Sequence, residues 1–279
     1  MKVGKYMSSA TLQGFPFGEN WKNFLHVLSD EHIQEAQKAL GSFLGRTDLN
    51  GKTFLDIGSG SGLHSLAAHR MSADVYSFDY DPQSVACTQE LKRRYFVKNK
   101  EWNIQQGSIL DDQFIHGLGE FDICYAWGVL HHTGALWKAL YNAQVPVRQD
   151  GLLFVAIYND QGLISKFWKM IKRTYCSGWL GRSLMSAIFY PVFFLSGLIL
   201  DLIHLRNPAI RYREHKKYRG MSLVHDWRDW LGGYPFEPAR PQNIINFYRD
   251  LGFELVHFEP TGHGFGNNQF LLKRVSSVS

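Results

Sequence analysis

Short apolar runs alternate with stretches of helical period along the middle of the chain. Phe54, Leu55 and Ile57 form the first run, Val75 to Asp79 the second and Trp102 to Gly107 the third. Ile123 to Trp127 and Leu152 to Tyr158 follow as a fourth and a fifth. Of these runs, the first and the fifth fit strands covered on both sides in a parallel sheet. Helical patterns separate them, at Gly62 to Arg70, Gln83 to about Arg94 and Ala135 to about Ala143. Asp81 and Pro82 supply the cap and first position of the second of these. An amphipathic helix, Glu31 to Leu40, precedes the sheet, and Trp21, Phe24 and Leu25 share a helix face before it. Near the other end, Pro241 to Gly252 reads as a helix with a glycine stop. Phe253 to Glu259 and Gln269 to Arg274 read as two strands joined by a glycine-rich hairpin. The alternation predicts an α/β fold with helices on both faces of one sheet.

The first strand breaks into glycines at Gly58, Gly60 and Gly62 before its helix begins. Strand, glycine turn and helix let a ligand touch backbone at the carboxyl end of the sheet. A dinucleotide fingerprint would need its third glycine at Leu63 or Ser65, and neither is glycine. What stands here is D-x-G-x-G-x-G, with Asp56 two residues before Gly58. A carboxylate there repels a pyrophosphate and suits a ligand carrying an amino group and a fixed positive charge; the plainer reading of Asp56 is a strand-end cap. Asp79 ends the second strand, where an acid accepts both hydroxyls of a ribose.

This run resembles the first motif of the class I S-adenosylmethionine-dependent methyltransferases. The resemblance implies a Rossmann-like seven-stranded sheet with an antiparallel last strand, and S-adenosyl-L-methionine as cofactor. Its implied cofactor residues are Asp56, Gly58, Ser59, Gly60, Gly62, Asp79, Tyr80, Ser108, Ile109 and Trp127. Asp56 would hold the methionine end and Tyr80 would offer a ring to the adenine. Ser108 departs from the pattern, since most relatives carry an aspartate there. V-L-H-H after the fourth strand resembles a bacterial subgroup related to quinone-precursor methyltransferases. It places His131 and His132 at the methyl-transfer pocket, where one could take a proton from an acceptor hydroxyl. The alternative is a histidine at a helix start bonded to backbone.

The resemblance covers residues 50–158 closely and 241–274 in outline, which divides the chain into three parts. Residues 1–50 are a helical cap, 51–159 with 241–279 the core, and 160–240 a helical insertion. Trp21, with Asn20, is a candidate lid over the cofactor or acceptor, or else part of a stripe packed on the sheet. Tyr158 and Asn159 end a strand on the side of the site and become substrate candidates. His225, Trp227 and Tyr234 in the insertion are candidates for the pocket wall.

Charge changes the picture only in the insertion. The chain carries +5 overall, yet residues 160–220 hold eleven Lys or Arg against three acids, 11 − 3 = +8. Ser183 to Leu200 carries no charge and just reaches the length at which a membrane span must be considered. Pro191, Gly197 and the return of the chain to the same sheet argue against a crossing. A core helix pair, a lid or a homodimer face remains. So does a helix in the membrane interface assisted by Arg206, Arg211, Arg213, Lys216 and Lys217. The basic residues could alternatively draw in an anionic acceptor. No recognisable nucleic-acid-binding module surrounds them.

Three scattered cysteines and no apolar leader suggest a reducing, cytoplasmic setting; no metal spacing appears. The expected function is methyl transfer to a small-molecule acceptor, most simply at oxygen of a hydroxyl or carboxylate. The rivals are a membrane-associated lipid-type, quinone-type or thiol substrate, and a non-catalytic cofactor-binding protein at a membrane surface.

Overall fold

The computed structural model describes residues 21, 25, 28–96, 101–205, 207–208, 223–262 and 266–275. Asn20, Phe24 and the side chain of His225 lie outside the described residues, as does most of the basic stretch after Leu205.

Seven strands form one sheet in the order β3-β2-β1-β4-β5-β7-β6. They are β1 (Thr53–Ile57), β2 (Asp74–Asp79), β3 (Trp102–Gln106), β4 (Phe121–Trp127), β5 (Val147–Tyr158), β6 (Phe253–Glu259) and β7 (Asn267–Arg274). The first five are parallel, whereas β7 runs antiparallel to both β5 and β6. This is the sheet the resemblance implies. β5 starts five residues earlier than its apolar run, with Asp150 at φ 62° and a register shift opposite Phe121 and Ile123. The irregularity absorbs polar Arg148 to Asp150 without displacing the buried half of the strand.

Helices α1 (Asp30–Leu44), α2 (Leu63–Arg70) and α3 (Pro82–Tyr95) cover one face. Helices α4 (Asp112–Gly117), α5 (Leu136–Gln144) and, later in the chain, α9 (Pro241–Asp250) cover the other. Strand alternation divides the core between them. Phe54, Val75, Tyr125 and Phe154 pack towards α1 to α3, while Leu55, Ile57, Val155 and Phe270 pack towards α5 and α9. The expected cap at α3 is present, with Asp81 accepting from Gln83 N–H at 2.8 Å. Asp81 is thereby a cap and Asp79 is left for the site.

The insertion holds α6 (Leu163–Tyr175), α7 (Trp179–Ile203) and α8 (Leu223–Gly232). Ile171, Tyr175 and Leu231 form a small core of their own, flanked by Trp168, Met185, Phe189 and Phe193. The apolar run is one continuous helix with Pro191 inside it, and Asp201 is its one fully buried residue among those described. The expectation of a buried core helix pair is therefore corrected. Among the described residues α7 is covered along one side only.

Candidate cofactor and acceptor site

At the carboxyl end of β1 the chain turns through Gly58, Gly60 and Gly62 with φ of 72°, 56° and 82°. L side chains rarely adopt this left-handed region, so the turn requires glycine. Gly58 and Ser59 donate their N–H groups to Phe78 O at 2.8 and 3.1 Å, which ties the turn to β2. Gly60 donates to Asp79 Oδ2 at 2.9 Å, and Asp79 Oδ1 accepts from Asp81 N–H at 2.9 Å. One half-buried carboxylate thus fixes the tip of the glycine turn and the start of the next loop. Burial pushes Asp79 up to about 6, against the pull of these backbone donors.

Trp21 lies over the same turn, and a Cβ on Gly60 would stand 3.0 Å from its indole. Both readings of Trp21 find a contact: its indole lies on the glycine turn, and it packs against the core beneath α1 to α3. Gly60→Ala is expected to cost about 2 kcal/mol in chemical denaturation, from left-handed strain and this contact together. Adding Trp21→Ala should recover the contact part alone; a strictly additive double variant would show that the indole does not press on the turn.

Asp56 does not face the open side. It is 3% exposed, and its Oδ2 accepts from Ser65 Oγ of α2 at 2.5 Å. Ser65 Oγ lies 2.7 Å from Ser77 Oγ, which accepts from Trp102 Nε1 at 2.9 Å. With the Ser65 proton committed to Asp56, Ser77 must donate to Ser65, so every donor in the chain points towards the carboxylate. Alternation in β1 sends Asp56 to the α2 face with Phe54, which explains the correction. Asp56 anchors the helix after the glycine turn and is withdrawn from direct ligand contact. Burial pushes it up to about 7.

On the far side of the turn, Tyr80 is 78% exposed and its carbonyl accepts from Gln106 Nε2 at 3.2 Å. Ser108 Oγ accepts from Leu110 N–H at 3.2 Å. Ile109 is buried, with its carbonyl taken by Asn142 Nδ2 at 2.8 Å. The Ser108 hydroxyl still has its proton to give. Trp127 ends β4 half-exposed, its ring 6.0 Å from that of His64 in the first turn of α2. Sequence reasoning missed His64, which desolvation pushes down to about 4; its place one residue into the helix after the glycines was the available signal.

After β4 a short 3₁₀ turn, Leu130–His132, carries both histidines. Their rings are 4.4 Å apart, and Tyr158 stands 4.3 Å from His131 and 5.7 Å from His132. His131 is wholly buried, with Tyr158 N–H donating to its Nδ1 at 3.4 Å and no partner for Nε2 among the described residues. Burial, with His132 and Lys172 nearby, holds it well below the usual histidine range. An enclosed imidazole cannot meet an arriving acceptor, so the base reading is corrected to His132 alone. His132 is half-buried and its Nδ1 donates to Pro235 O at 2.6 Å, an arrangement that leaves the basic lone pair on Nε2. Burial pushes His132 down to about 4, so it is neutral at pH 7.

The insertion returns to build the wall beside these histidines. Glu237 N–H donates to His131 O at 3.0 Å, and its carboxylate accepts from Leu136 N–H at 3.1 Å. It supplies the N-terminal cap that α5 lacks from its own Ala135. Tyr158 meets Phe236 at 5.3 Å and Trp230 at 6.2 Å. Lys172 is 1% exposed, donates to Trp230 O and sits 4.2 Å from the Trp230 ring centre. In a helix crowded with lysines, no local pattern marks Lys172 as the buried one.

Two of the acceptor candidates, Asn159 and Trp227, take structural places instead, and Tyr234 stays beside the site. Asn159 Oδ1 accepts from Asn268 Nδ2 at 3.1 Å, and the residue bridges to Ala239, so it fastens β5 to β7 and the insertion. Trp227 packs on Tyr190 and Phe193 of α7, each at 5.8 Å, inside the insertion and not at the site. Tyr234 is half-buried and its N–H donates to Gly232 O at 2.6 Å, immediately before the segment that meets the histidines.

Residues 55–153 match the sequence model of a methyltransferase domain. Over that stretch the chain is similar to methyltransferase domains. The chain spans about a fifth to a third of the length of the curated relatives it matches. A ribosomal protein L11 methyltransferase of Helicobacter hepaticus is 37% identical over 104 residues, 33% of this chain and 32% of that protein. Another from Acinetobacter baylyi is 38% identical over 71 residues, 23% of each. Among solved structures, PKMT2 of Rickettsia typhi in complex with AdoHcy superposes with TM-score 0.54 at 15% identity, over 82% of this chain and 49% of that one. Magnesium protoporphyrin IX methyltransferase of Synechocystis with bound SAM gives 0.51 at 12% identity, over 87% and 79%. At such identities these two show the shared fold. The matched stretch runs from within β1 to the middle of β5, with the glycine turn, Asp79 and both histidines inside it.

Proposed function

We propose that the chain is an S-adenosylmethionine-dependent methyltransferase acting on a hydroxyl oxygen of a small-molecule acceptor. The observation that carries this reading is the joint made by Asp79, which holds the tip of the glycine turn while half-open at the end of β2. That placement fits a nucleoside: Asp79 would accept from the ribose hydroxyls, with Tyr80, Ser108 and the backbone of Ile109 along the adenine. The glycine backbone would follow the amino-acid portion under Trp21. Bound there, the cofactor supplies an electrophilic methyl group. The chain's own work is to align an oxygen for in-line approach, exclude water with Trp21 and the aromatic wall, and take up the acceptor's proton at His132 Nε2. The names of the matched relatives include a ribosomal-protein methyltransferase, and their likeness is confined to the shared core.

His132→Ala is expected to lower kcat by about 10²- to 10³-fold, with KM for the methyl donor little changed. The acid limb of the wild-type rate profile should fall near pH 4, the value to which burial pushes His132, and not near the ordinary histidine value. Turnover that survives His132→Ala would move the acceptor to a carboxylate, which needs no base. Calorimetry in which NAD binds and S-adenosylhomocysteine does not would remove the reading altogether.

A further inference from the structure

We propose that α7, with the outer face of α6, seats the protein in one leaflet of an anionic lipid bilayer. Leu180, Leu184, Ile188, Val192, Leu195 and Ile199 are all exposed and recur every three or four residues. Taken alone, that stripe would also suit a helical seam with a second copy. Phe194, 44% exposed, lies beyond one edge of the stripe and widens the exposed arc to about 160° at 3.6 residues per turn. No charged residue interrupts it from Ser183 to Leu200, whereas a seam between two soluble helices carries charged flanks. A helix apolar over most of its circumference belongs in a core or in lipid, and only 6% of its most apolar stretch is buried.

The chain's path excludes a crossing. α7 is about 37 Å long, enough to span. Yet β5, which precedes the insertion, pairs with β7, which follows it, so both ends of the insertion lie on one side of any membrane. Among the described residues no second helix is long and apolar enough to return the chain. The stretch from Arg206 to Arg219 carries six Arg or Lys and cannot supply one by composition. The helix therefore lies along the bilayer plane.

The surroundings suit lipid headgroups. Exposed Leu163, Ile164, Phe167 and Met170 continue the apolar face on α6, and Lys166, Lys169 and Arg173 are exposed beside them. Trp179, 75% exposed, starts α7, with Arg182 after it. The surplus of +8 over residues 160–220 attracts an anionic surface. On the inner side, Trp168 joins Phe189 of α7 to Trp230 at 5.5 Å each, and Trp230 meets Tyr158 at the histidines. A lipid-soluble acceptor would thus reach the aromatic wall from the membrane.

The test is co-sedimentation of the full chain with vesicles of phosphatidylcholine, alone and mixed with phosphatidylglycerol. Binding to the mixed vesicles is expected, weaker to the neutral ones, and lowered at least about tenfold by Leu184→Asp, Ile188→Asp and Leu195→Asp together. The variant should keep its circular dichroism and its calorimetric binding of S-adenosylhomocysteine, which separates this proposal from the methyl-transfer reading. Equal sedimentation of wild type and variant overturns the proposal. So does a wild-type chain that stays in the supernatant, and a dimer that the three substitutions dissociate would then make a second copy the occupant.

Discussion

Asp79→Ala is expected to weaken S-adenosylhomocysteine binding by about 100-fold in isothermal titration. Two charge-assisted hydrogen bonds to a ribose are worth about 1.5 kcal/mol each, and about 3 kcal/mol is a hundredfold in Kd. The substitution also frees Gly60 N–H, so the tip of the glycine turn loses its tether. Asp81 provides the comparison. It is two residues away and carries the same charge, but its carboxylate caps α3. Asp81→Ala should cost about 1 kcal/mol of stability and leave the affinity within about threefold of wild type. If both variants lose binding alike, the loss is a general loosening of the loop, and Asp79 has no special claim on the ribose.

Asp56→Asn should change how stability depends on pH between about 4 and 7. The folded protein holds this buried acid at about 7, above its unfolded value near 4, so between those values the native state binds the extra proton. Stability from this group is present below about pH 4 and is lost as pH rises through 7. The full shift corresponds to about 4 kcal/mol, less about 1 to 3 kcal/mol for an asparagine amide left without a partner. His64 and His132, both pushed down to about 4, act in the opposite sense and lose stability as the pH falls. The difference between variant and wild type isolates Asp56. Measured by urea unfolding, it should favour asparagine increasingly from pH 4.5 to pH 7 and then level off. A difference independent of pH would show that Asp56 is ionised throughout.

Asp56 also shows where the sequence stops being informative. Its neighbours Phe54, Leu55 and Ile57 are apolar on both faces, as a central parallel strand requires, so the pattern does not say which face the acid takes. The site's other acids were legible because local chemistry separates them: Pro82 after Asp81 marks a helix start, and Asp79 closes a strand. The glycine turn was legible because left-handed backbone leaves few residue choices. The histidine pair was legible as a pair, but not the enclosure of His131, whose ring meets Tyr158 and whose carbonyl meets Glu237 N–H, both distant along the chain. Trp227 misled for a related reason. An aromatic in an insertion can serve the site or the insertion's own core, and only the position of α7 decides it. The same holds for α7 itself, whose apolar run announced a helix without saying what covers it.

β7 lies between β5 and β6, although it follows both in the chain. During synthesis the outer edge of β5 must therefore wait, unpaired, while more than a hundred further residues emerge, including all of the insertion. An open edge of Leu153 to Ile157 is an invitation to intermolecular pairing until Arg274 is out.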